Sequence, residues 1–281
     1  MSIIAKSTKV MTSSLDDEPI TVRLAQTASE IEQAQSIRYK VFYEEYGAKP
    51  NNEMLLAKRD FDKYDEIADH LIVIDKSTGK DEIIGTYRLL RREAADKIGQ
   101  FYTEDEFDIS ALLNAEKKLL ELGRSCVMPE YRTKQILQLL WQGIADYITE
   151  YDIDLMFGCA SIHSTDIKSI SKPLSYLHHF HMTPRTLRPR AIKGRYINMN
   201  IIPQEDISPR RVFSELPPLI KGYLRVGATI GDGAVIDEQF NTTDVCIVVQ
   251  THMVTDRYRK HYERKINKTL PGGNALKDIK S

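Results

Sequence analysis

Charged side chains recur along the first half of the chain, at the predicted edges of a sheet. They are Arg38, Asp60, Asp62, Asp65, Arg88, Glu121 and Arg124. A carboxylate can accept a proton or hold a cation, and an arginine can hold a carboxylate through two parallel hydrogen bonds. Their simplest role is to pair with one another in surface or structural salt bridges. Glu121 and Arg124 are three residues apart in a predicted strand, so they should point to opposite faces and not satisfy each other.

The elements that position these side chains follow from the hydrophobic pattern. Ser29 and Glu32 have the spacing of a capping box, and apolar residues at helical intervals after them predict a helix that lasts until Gly47. A short strand is predicted at 20–24. Two β-rich runs at 70–75 and 82–90 then flank a loop whose glycine, Gly79, suits a hairpin, which predicts an antiparallel pair.

The middle of the chain predicts a strand, a helix and a second strand in close succession. The strand covers 119–127, apolar residues between 136 and 148 trace one face of the helix, and a buried strand follows at 155–160. That order is typical of a right-handed parallel crossover. Final strands are predicted at 196–200 and 245–250, and the glycines at 227, 231 and 233 are expected in turns. The sum is an α/β (α+β) fold, with a mixed, bent sheet and helices on both faces.

Composition limits the classes of protein that the chain can represent. The 39 lysines and arginines nearly balance 40 aspartates and glutamates, which argues against a nucleic acid partner. Three distant cysteines, Cys126, Cys159 and Cys246, suggest neither disulfides nor a thiolate metal site. The start of the chain has no apolar signal segment, and no stretch is apolar enough to span a bilayer. We therefore expect a cytoplasmic protein.

The chain is predicted to have one domain between two polar ends. Residues 1–19 are predicted to form a flexible arm, residues 20–255 the domain, and residues 256–281 a basic tail. From His252 to the end there are eight lysines or arginines against three acidic residues, with Tyr258, Tyr262 and Ile266 at four-residue steps. This pattern predicts a basic helix, which either contacts anionic membrane peripherally or packs back on the domain.

Several motifs together resemble known families. Arg38-Tyr-Lys-Val-Phe42, Asp60-Phe-Asp-Lys-Tyr-Asp65, Gly85-Thr-Tyr-Arg88 and Glu121-Leu-Gly-Arg-Ser-Cys-Val127 occur in the order of the acyl-homoserine-lactone synthases, relatives of the GNAT fold that use acyl carrier protein. The chain resembles the ornithine N-alpha-acyltransferases more closely, along most of residues 35–255. Further matching segments are Leu140-Trp-Gln-Gly143, Phe157-Gly-Cys-Ala-Ser161 and Leu216-Pro-Pro-Leu-Ile-Lys-Gly-Tyr-Leu-Arg225. The resemblance implies a GNAT-like acyl-CoA N-acyltransferase fold and transfer of a (3-hydroxy)fatty acyl group to the α-amine of ornithine, giving lyso-ornithine lipid.

The resemblance also implies roles for the charged residues. The thioester carbonyl is expected at the end of the strand that contains Glu121, with Glu121 as the proton acceptor and backbone N–H groups near Cys126 and Val127 facing the oxyanion. Arg88 or Arg124 is expected to hold the substrate carboxylate. Arg38, Phe42, Asp62 and Asp65 complete the expected substrate site, the two aspartates holding ornithine's cationic side chain. No histidine is near Cys126, so we expect no acyl-enzyme.

The acyl donor is expected to be a carrier protein. Enzymes that bind coenzyme A use glycines where the strand turns into the pyrophosphate-binding helix, whereas the segment from Arg132 to Leu137 has none. We therefore expect no bound cofactor or metal, and an acyl chain delivered on the phosphopantetheine of acyl carrier protein. A loop without acidic residues carries a basic patch that suits docking of an acidic carrier, unless it is only solvated. The patch is Arg185, Arg188, Arg190 and Lys193.

Two alternatives stay open from the sequence. One is a related enzyme that acylates another amine, such as glycine or a homoserine-lactone precursor. The other is a membrane-active protein, because some relatives carry the label hemolysin. The lack of a long apolar segment and the buried charged clusters favour the enzyme, although fold analogy alone does not establish function. The acyl chain length and the oligomeric state are not encoded in any pattern that we recognise.

Overall fold

A computed structural model describes residues 19–77 and 79–253 of the chain. The predicted arm at 1–19 lies outside this range except for Pro19, and the predicted basic tail at 256–281 lies outside it entirely. Nothing in the fold therefore bears on either prediction.

In this part of the chain, nine strands form one mixed sheet. They are β1 (Ile20–Leu24), β2 (Asp69–Asp75), β3 (Glu82–Arg91), β4 (Phe107–Asp108), β5 (Leu119–Val127), β6 (Leu155–Ile162), β7 (Arg190–Ala191), β8 (Thr229–Asp237) and β9 (Thr242–Gln250). Across the sheet the order is β1-β2-β3-β5-β6-β9-β8-β7-β4. The β5–β6 and β7–β8 pairs are parallel and the other neighbours are antiparallel. The predicted β2–β3 hairpin and the predicted β5–β6 crossover are both confirmed.

The helices connect these strands and cover the sheet. They are α1 (Ala28–Tyr39), α2 (Asn52–Ala57), α3 (Arg92–Ala95), α4 (Ser110–Leu113), α5 (Lys134–Tyr151), α6 (Ser171–His181), α7 (Pro209–Glu215) and α8 (Pro218–Val226), with a π-helical segment at Lys40–Glu45 directly after α1. Among the described residues, none of the helices combines the length and the apolar character needed to cross a membrane.

Alternating side chains of β2 show that helices cover both faces of the sheet, as predicted. Leu71 and Val73 belong to the core that contains Leu140 and Ile144 of α5. Their neighbours Ile72 and Ile74 instead join the core that contains α1. Because successive residues of a strand point to opposite faces, α1 and α5 lie on opposite sides of the sheet.

The first helix begins two residues before its predicted start. Thr27 is extended (φ −129°, ψ 154°), and its hydroxyl accepts a hydrogen bond from the Glu30 amide at 3.2 Å, while Glu30 accepts one from the Thr27 amide at 3.3 Å. The prediction of a capping box at Ser29 and Glu32 is therefore wrong. Glu30 also pairs with Arg23 at 2.6 Å, which ties the helix to β1.

The predicted strand at 196–200 is also wrong. This segment makes only a single bridge, between Ile197 and Ala234. Its place in the sheet is taken by β8, where we expected Gly231 and Gly233 to lie in turns. The β8–β9 register shifts between Ile230 and Ala234, and Gly233 has a φ of +83°, so the glycines form an irregularity within a strand. The predicted turn at Gly227 is confirmed, since this residue ends α8 with a φ of +100°.

Candidate active site

The central feature of the sheet is a separation between β5 and β6. The two strands pair at Leu119, Leu120 and Glu121 and no further along the described ladder, whereas β6 continues to pair with β9 as far as Ile162. Gly158 lies where the strands part: a Cβ built on it would be 2.2 Å from the carbonyl oxygen of Leu122. The close approach of the two strands at the point where they part therefore requires a residue without a side chain.

A cavity of about 400 Å³ opens at this separation. Its wall has an apolar side and a polar side. The apolar side includes Phe42, Ile136, Leu137, Leu140, Leu219 and Tyr223, and the polar side includes Arg88, Glu121, Arg124, Asp237 and Asp244. Helices α5 and α8 contribute most of the apolar residues, and the strands contribute most of the polar ones. The cavity can thus hold a long apolar group and a charged group together.

Three arginines and three aspartates form one hydrogen-bonded network beside the cavity: Arg38, Asp60, Asp62, Asp65, Arg88 and Arg124. Arg38 is fully buried and donates to Asp60 at 2.7 Å and to both oxygens of Asp65, at 2.7 and 2.9 Å. Burial by itself raises the pKa of the Asp65 carboxyl, but Arg38 and then Arg88 outweigh burial and hold the pKa well below its ordinary value. The charges of the network balance internally.

This balance bears on the expected substrate contacts of Asp62 and Asp65. Asp65 has both oxygens on Arg38 and is 5% exposed. Asp62 receives one hydrogen bond from Arg88 at 2.6 Å and one from Arg124 at 3.1 Å. The cationic partners of both carboxylates are therefore protein arginines, which disfavours the prediction that these aspartates hold a cationic side chain of the substrate.

Arg124 reaches the cavity from an unusual backbone conformation. It has a φ of +52°, in the left-handed region, within an irregularity of the β3–β5 ladder. Its guanidinium lies 4.7 Å from the ring centre of Tyr102 and 4.9 Å from that of Phe240. The Phe240 ring also packs edge-on against Phe42, 5.8 Å away. Non-glycine residues in this conformation cluster at functional sites, where the surrounding structure holds them in place.

Glu121 also lines the cavity, and it does not pair with Arg124. Its carboxylate accepts hydrogen bonds from the Thr103 amide at 2.6 Å, the Thr103 hydroxyl at 2.5 Å and the Tyr102 amide at 3.1 Å. Burial raises the pKa of this carboxyl, against the hydrogen bonds from Thr103, which lower it. Replacing Glu121 by glutamine would turn an NH₂ group toward the same donors, so such a variant changes more than proton transfer.

The end of β5 offers one backbone donor toward the separation. The Met128 amide donates to the Ile84 carbonyl of β3 at 2.9 Å. Because successive amides of a strand point in opposite directions, the Val127 N–H points away from β3 and the Cys126 N–H toward it. Of the two backbone N–H groups expected to face the oxyanion, those of Cys126 and Val127, the one that points toward the separation is therefore that of Val127. Burial raises the pKa of the Cys126 thiol to about 12, so the thiol is a poor nucleophile.

The expected docking patch lies away from this cavity. None of Arg185, Arg188, Arg190 and Lys193 lines this cavity or a second cavity bounded by Glu106, Arg195 and Asp237. Arg190 pairs with Asp232 at 3.0 Å, and Arg188 donates to the Thr183 carbonyl at 2.6 Å. Arg185 and Lys193 are exposed.

Three further acidic residues that the sequence did not single out lie beside the cavity. Asp237 and Asp244 line it directly, and Glu106 is close to Asp244, around the thiol of Cys159. Glu106 follows α3, Asp237 ends β8 and Asp244 lies in β9, so no spacing in the sequence connects them. The only signal available was the acidic character of each segment, and the sheet order was needed to bring them together.

Comparison with known proteins identifies the relatives of this chain. Residues 37–142 match the model of an acetyltransferase (GNAT) domain. The chain is 45% identical over 251 residues to the L-ornithine N(alpha)-acyltransferase of Rhizobium meliloti (strain 1021), covering 86% of this chain and 84% of the relative. It is 44% identical over 254 residues to the enzyme of that name from Brucella abortus (strain 2308), covering 89% and 90%. The predicted GNAT fold is thereby confirmed.

The solved structures that resemble this chain have much lower sequence identity to it. One is FeeM, an N-acyl amino acid synthase from uncultured soil microbes, with 13% identity, a TM-score of 0.44 and coverage of 82% of this chain and 90% of that one. Another is BjaI, a CoA-dependent acyl-homoserine lactone synthase, with 11% identity, a TM-score of 0.47 and coverage of 90% of both chains. Similarities of this size carry no information about substrates.

Proposed function

Since the chain belongs to the L-ornithine N(alpha)-acyltransferase family and is an acyltransferase, we propose that it transfers a fatty acyl group to the α-amine of ornithine. The donor in this proposal is a thioester on the phosphopantetheine of acyl carrier protein, and the product is lyso-ornithine lipid when the acyl group is 3-hydroxylated. The supporting observation is the cavity at the β5–β6 separation, which has an apolar wall beside a charged one.

The proposed chemistry requires an uncharged amine beside the thioester carbonyl. The nitrogen attacks the carbonyl carbon and the amide bond forms. The carbon–sulfur bond breaks, one amine proton passes to a base, and the leaving sulfur is protonated. As the oxygen becomes negative, the Val127 N–H is in position to donate to it, and removal of such a donor typically costs about 3 kcal/mol of transition-state stabilisation. The apolar wall would keep water from the thioester.

Glu121 remains our proposed proton acceptor, acting directly or through a water molecule. It lines the cavity, and burial raises its proton affinity. Arg124 remains the proposed partner of the ornithine carboxylate. Its guanidinium also donates to Asp60 and Asp62, but its side chain lines the cavity and is 11% exposed, against 4% for the side chain of Arg88. Arg88 is 3% exposed and bonded to Asp62, so we assign it to holding the network rather than the substrate.

One reaction tests the whole proposal. The purified full chain is offered 3-hydroxyacyl carrier protein with ornithine, lysine, glycine or homoserine, and the N-acyl products are identified by mass spectrometry. We expect ornithine to be acylated fastest. Parallel reactions with the corresponding acyl-CoA should be slower, because the turn into α5 lacks the glycines of a diphosphate site. Equal rates with acyl-CoA would contradict the carrier-protein donor, and no acylated ornithine would contradict the acceptor.

The apolar wall should determine which acyl chains are accepted. Leu219 and Leu224 are both half-buried on α8, but only Leu219 lines the cavity. We expect Leu219→Trp to lower the rate with long acyl chains about tenfold and to leave short chains nearly unchanged, because the larger ring shortens the space. Leu224→Trp is the matched control and should keep the wild-type chain-length profile. Identical profiles for the two variants would show that the acyl chain does not use this wall.

The basic loop should matter for the carrier protein and not for ornithine. The exposed pair Arg185 and Lys193 is more suitable for charge reversal than Arg188 and Arg190, which have protein partners. We expect Arg185→Glu with Lys193→Glu to raise the KM for acylated carrier about tenfold at low salt, with less effect at high salt. The control reverses two exposed basic residues elsewhere, Lys172 and Arg210. If both double variants behave alike, the carrier docks on another surface.

Peripheral contact with anionic membrane and a cytoplasmic location remain predictions. The basic tail on which the membrane prediction rests, residues 256–281, lies outside the described residues. The acyltransferase family confirms the predicted enzyme over the hemolysin-like alternative.

A further inference from the structure

A second charged cluster beside the cavity differs from the arginine–aspartate network. Glu106, Asp237 and Asp244 are 3%, 8% and 6% exposed. The ligand atoms of Glu106, Asp244 and Cys159 all lie within 4.8 Å of one another. Burial first, and then the charges of Asp244 and Asp237, raise the pKa of the Glu106 carboxyl to about 8. Mutual repulsion therefore links the three acids.

One oxygen of this cluster has no hydrogen-bond partner. Glu106 Oε1 accepts a hydrogen bond from Arg195 at 3.3 Å, but Oε2 is buried and has none among the described residues. The neighbours of this carboxyl are the Cys159 thiol and the Asp244 carboxylate, which itself accepts from the Thr242 hydroxyl at 2.8 Å. A buried polar atom without a partner is costly, and its presence indicates a site that a donor completes.

The cluster has few positive charges around it. The network around Arg38 sets three arginines against three aspartates, whereas here Arg195 is the one cation in contact with Glu106 in the described part of the chain. Arg195 is also 36% exposed at its side chain. Three buried carboxyl groups with one half-exposed arginine are short of positive charge, and the raised pKa of Glu106 means that near neutral pH a proton makes up part of this deficit. A bound cation would stabilise the ionised carboxylates in place of that proton.

The cluster is accessible to a small molecule. Asp237, Asp244 and Cys159 line the cavity that contains Arg124. Asp237 also lines a second cavity of about 700 Å³, together with Glu106 and Arg195. The acids thus line one cavity or the other, and Asp237 lines both.

We propose that Glu106, Asp237 and Asp244 bind the side-chain ammonium of the amino acid acceptor. This inference rests on the proposed function and specifies how the enzyme selects a diamino acid. An ammonium group has three donors and suits a cluster of separate carboxylate oxygens. A transition metal suits the cluster less well, because the pKa of the Cys159 thiol is raised well above its ordinary value, first by burial, and a protonated thiol is a poor ligand.

Paired substrates test the assignment. Ornithine and norvaline share the α-amine, the carboxylate and the three-carbon side chain, but norvaline lacks the terminal ammonium. We expect Asp244→Asn to raise the KM for ornithine about 10- to 100-fold and to change the rate with norvaline little, since only ornithine loses a charged contact. Glu238→Gln is the control, because Glu238 is exposed and lines the second cavity outside the cluster. It should keep the wild-type preference for ornithine.

Other outcomes overturn the inference in distinguishable ways. If the wild type acylates no amino acid, the proposed function fails. If it acylates ornithine and both Asp244→Asn and Glu106→Gln keep the wild-type preference over norvaline, only the ammonium site fails. An equal loss of kcat with both substrates would make Asp244 a proton acceptor instead. Loss of activity on chelation, with recovery on adding Zn²⁺, would make the cluster a metal site.

The Glu106→Gln variant also distinguishes an effect on substrate binding from an effect on the stability of the fold. The raised pKa of Glu106 means that the folded state keeps a proton that the unfolded state has lost, so this group reduces stability as pH rises from about 4.5 to about 8. We expect the variant to melt at a higher temperature than the wild type at pH 8 and at a similar one at pH 4, while its preference for ornithine falls. If the variant melts at a lower temperature than the wild type at pH 8, the inference that the cluster is short of positive charge is contradicted. The titratable and charged groups that interact with the Glu106 carboxyl are Asp237, Asp244, Cys159, Arg195 and Tyr102.

Discussion

Replacement of Arg38 by methionine is expected to destabilise the protein by about 3–5 kcal/mol, which is the usual cost of removing one partner from a buried ion pair. Arg38 is fully buried, and its guanidinium contacts Asp60 and Asp65 at 2.7 Å each. Methionine fills much of the volume but leaves both carboxylates in the interior without this partner. Urea unfolding at pH 7 measures the loss.

A surface pair in the same part of the chain is the control. Arg23 contacts Glu30 at 2.6 Å, with side chains 22% and 19% exposed. Because water and salt screen such a pair, Arg23→Met should cost about 1 kcal/mol or less. Losses of equal size in the two variants would show that burial of the network contributes nothing to its stability.

The effect of Arg38→Met should also depend on pH. In the wild type the pKa of Asp65 is lowered, so its stabilising contribution is present above the unfolded value near 3.8 and is lost as pH falls through the folded value. Without Arg38, Asp65 keeps the attraction of the more distant Arg88 and Asp60 keeps that of Arg124, so less stability should be gained as pH rises above 4. The difference between variant and wild type should therefore be largest near neutral pH and shrink in acid. A constant difference across this range would contradict the charge argument.

The network shows how much of the site could be predicted from patterns in the sequence. Its arginines and aspartates were singled out because they occur at the predicted edges of the sheet, in motifs that resemble those of known families. The patterns could not assign the partners. Arg124 reaches Asp60 and Asp62 only through its left-handed backbone within an irregular ladder, and neither feature has a reliable sequence signal. A role in binding substrate was therefore expected of Asp65, which the structure places on Arg38.

An irregular backbone without a sequence signal also explains why β8 and the acidic cluster were missed in the second half of the chain. Helical periodicity predicted α5 correctly. Runs of β-forming apolar residues predicted β2, β3, β5 and β6, because these strands are buried on both faces over most of their length. The strand β8 was hidden by Gly231 and Gly233, which favour turns in isolation and here form an irregularity beside Pro189 and Tyr196. Without β8, nothing placed Asp237 near Asp244, and the acidic cluster could not be predicted.

Gly158→Ala is expected to be the most damaging small substitution in the sheet. The new Cβ would lie 2.2 Å from the Leu122 carbonyl oxygen, and this neighbour is backbone that cannot rotate away. Strands β5 and β6 must then shift where they separate, at a cost of about 3 kcal/mol or more, at the upper end for overpacked interiors. Misplacement of reacting groups by about 1 Å can lower the rate about 100-fold. We therefore expect loss of both thermal stability and acyl transfer.

Gly123→Ala provides the matched control for this last prediction. Gly123 lies in β5 next to Leu122, but a Cβ built on it meets no atom within 4 Å and its φ is not in the left-handed region. It should change the melting temperature little, since a Cβ there meets no other atom, although Gly123 also lines the cavity. Comparable activity of Gly158→Ala and wild type would show that the close approach of β5 and β6 does not shape the cavity. Equal damage from both variants would instead point to a general intolerance of β5 and β6 to larger residues.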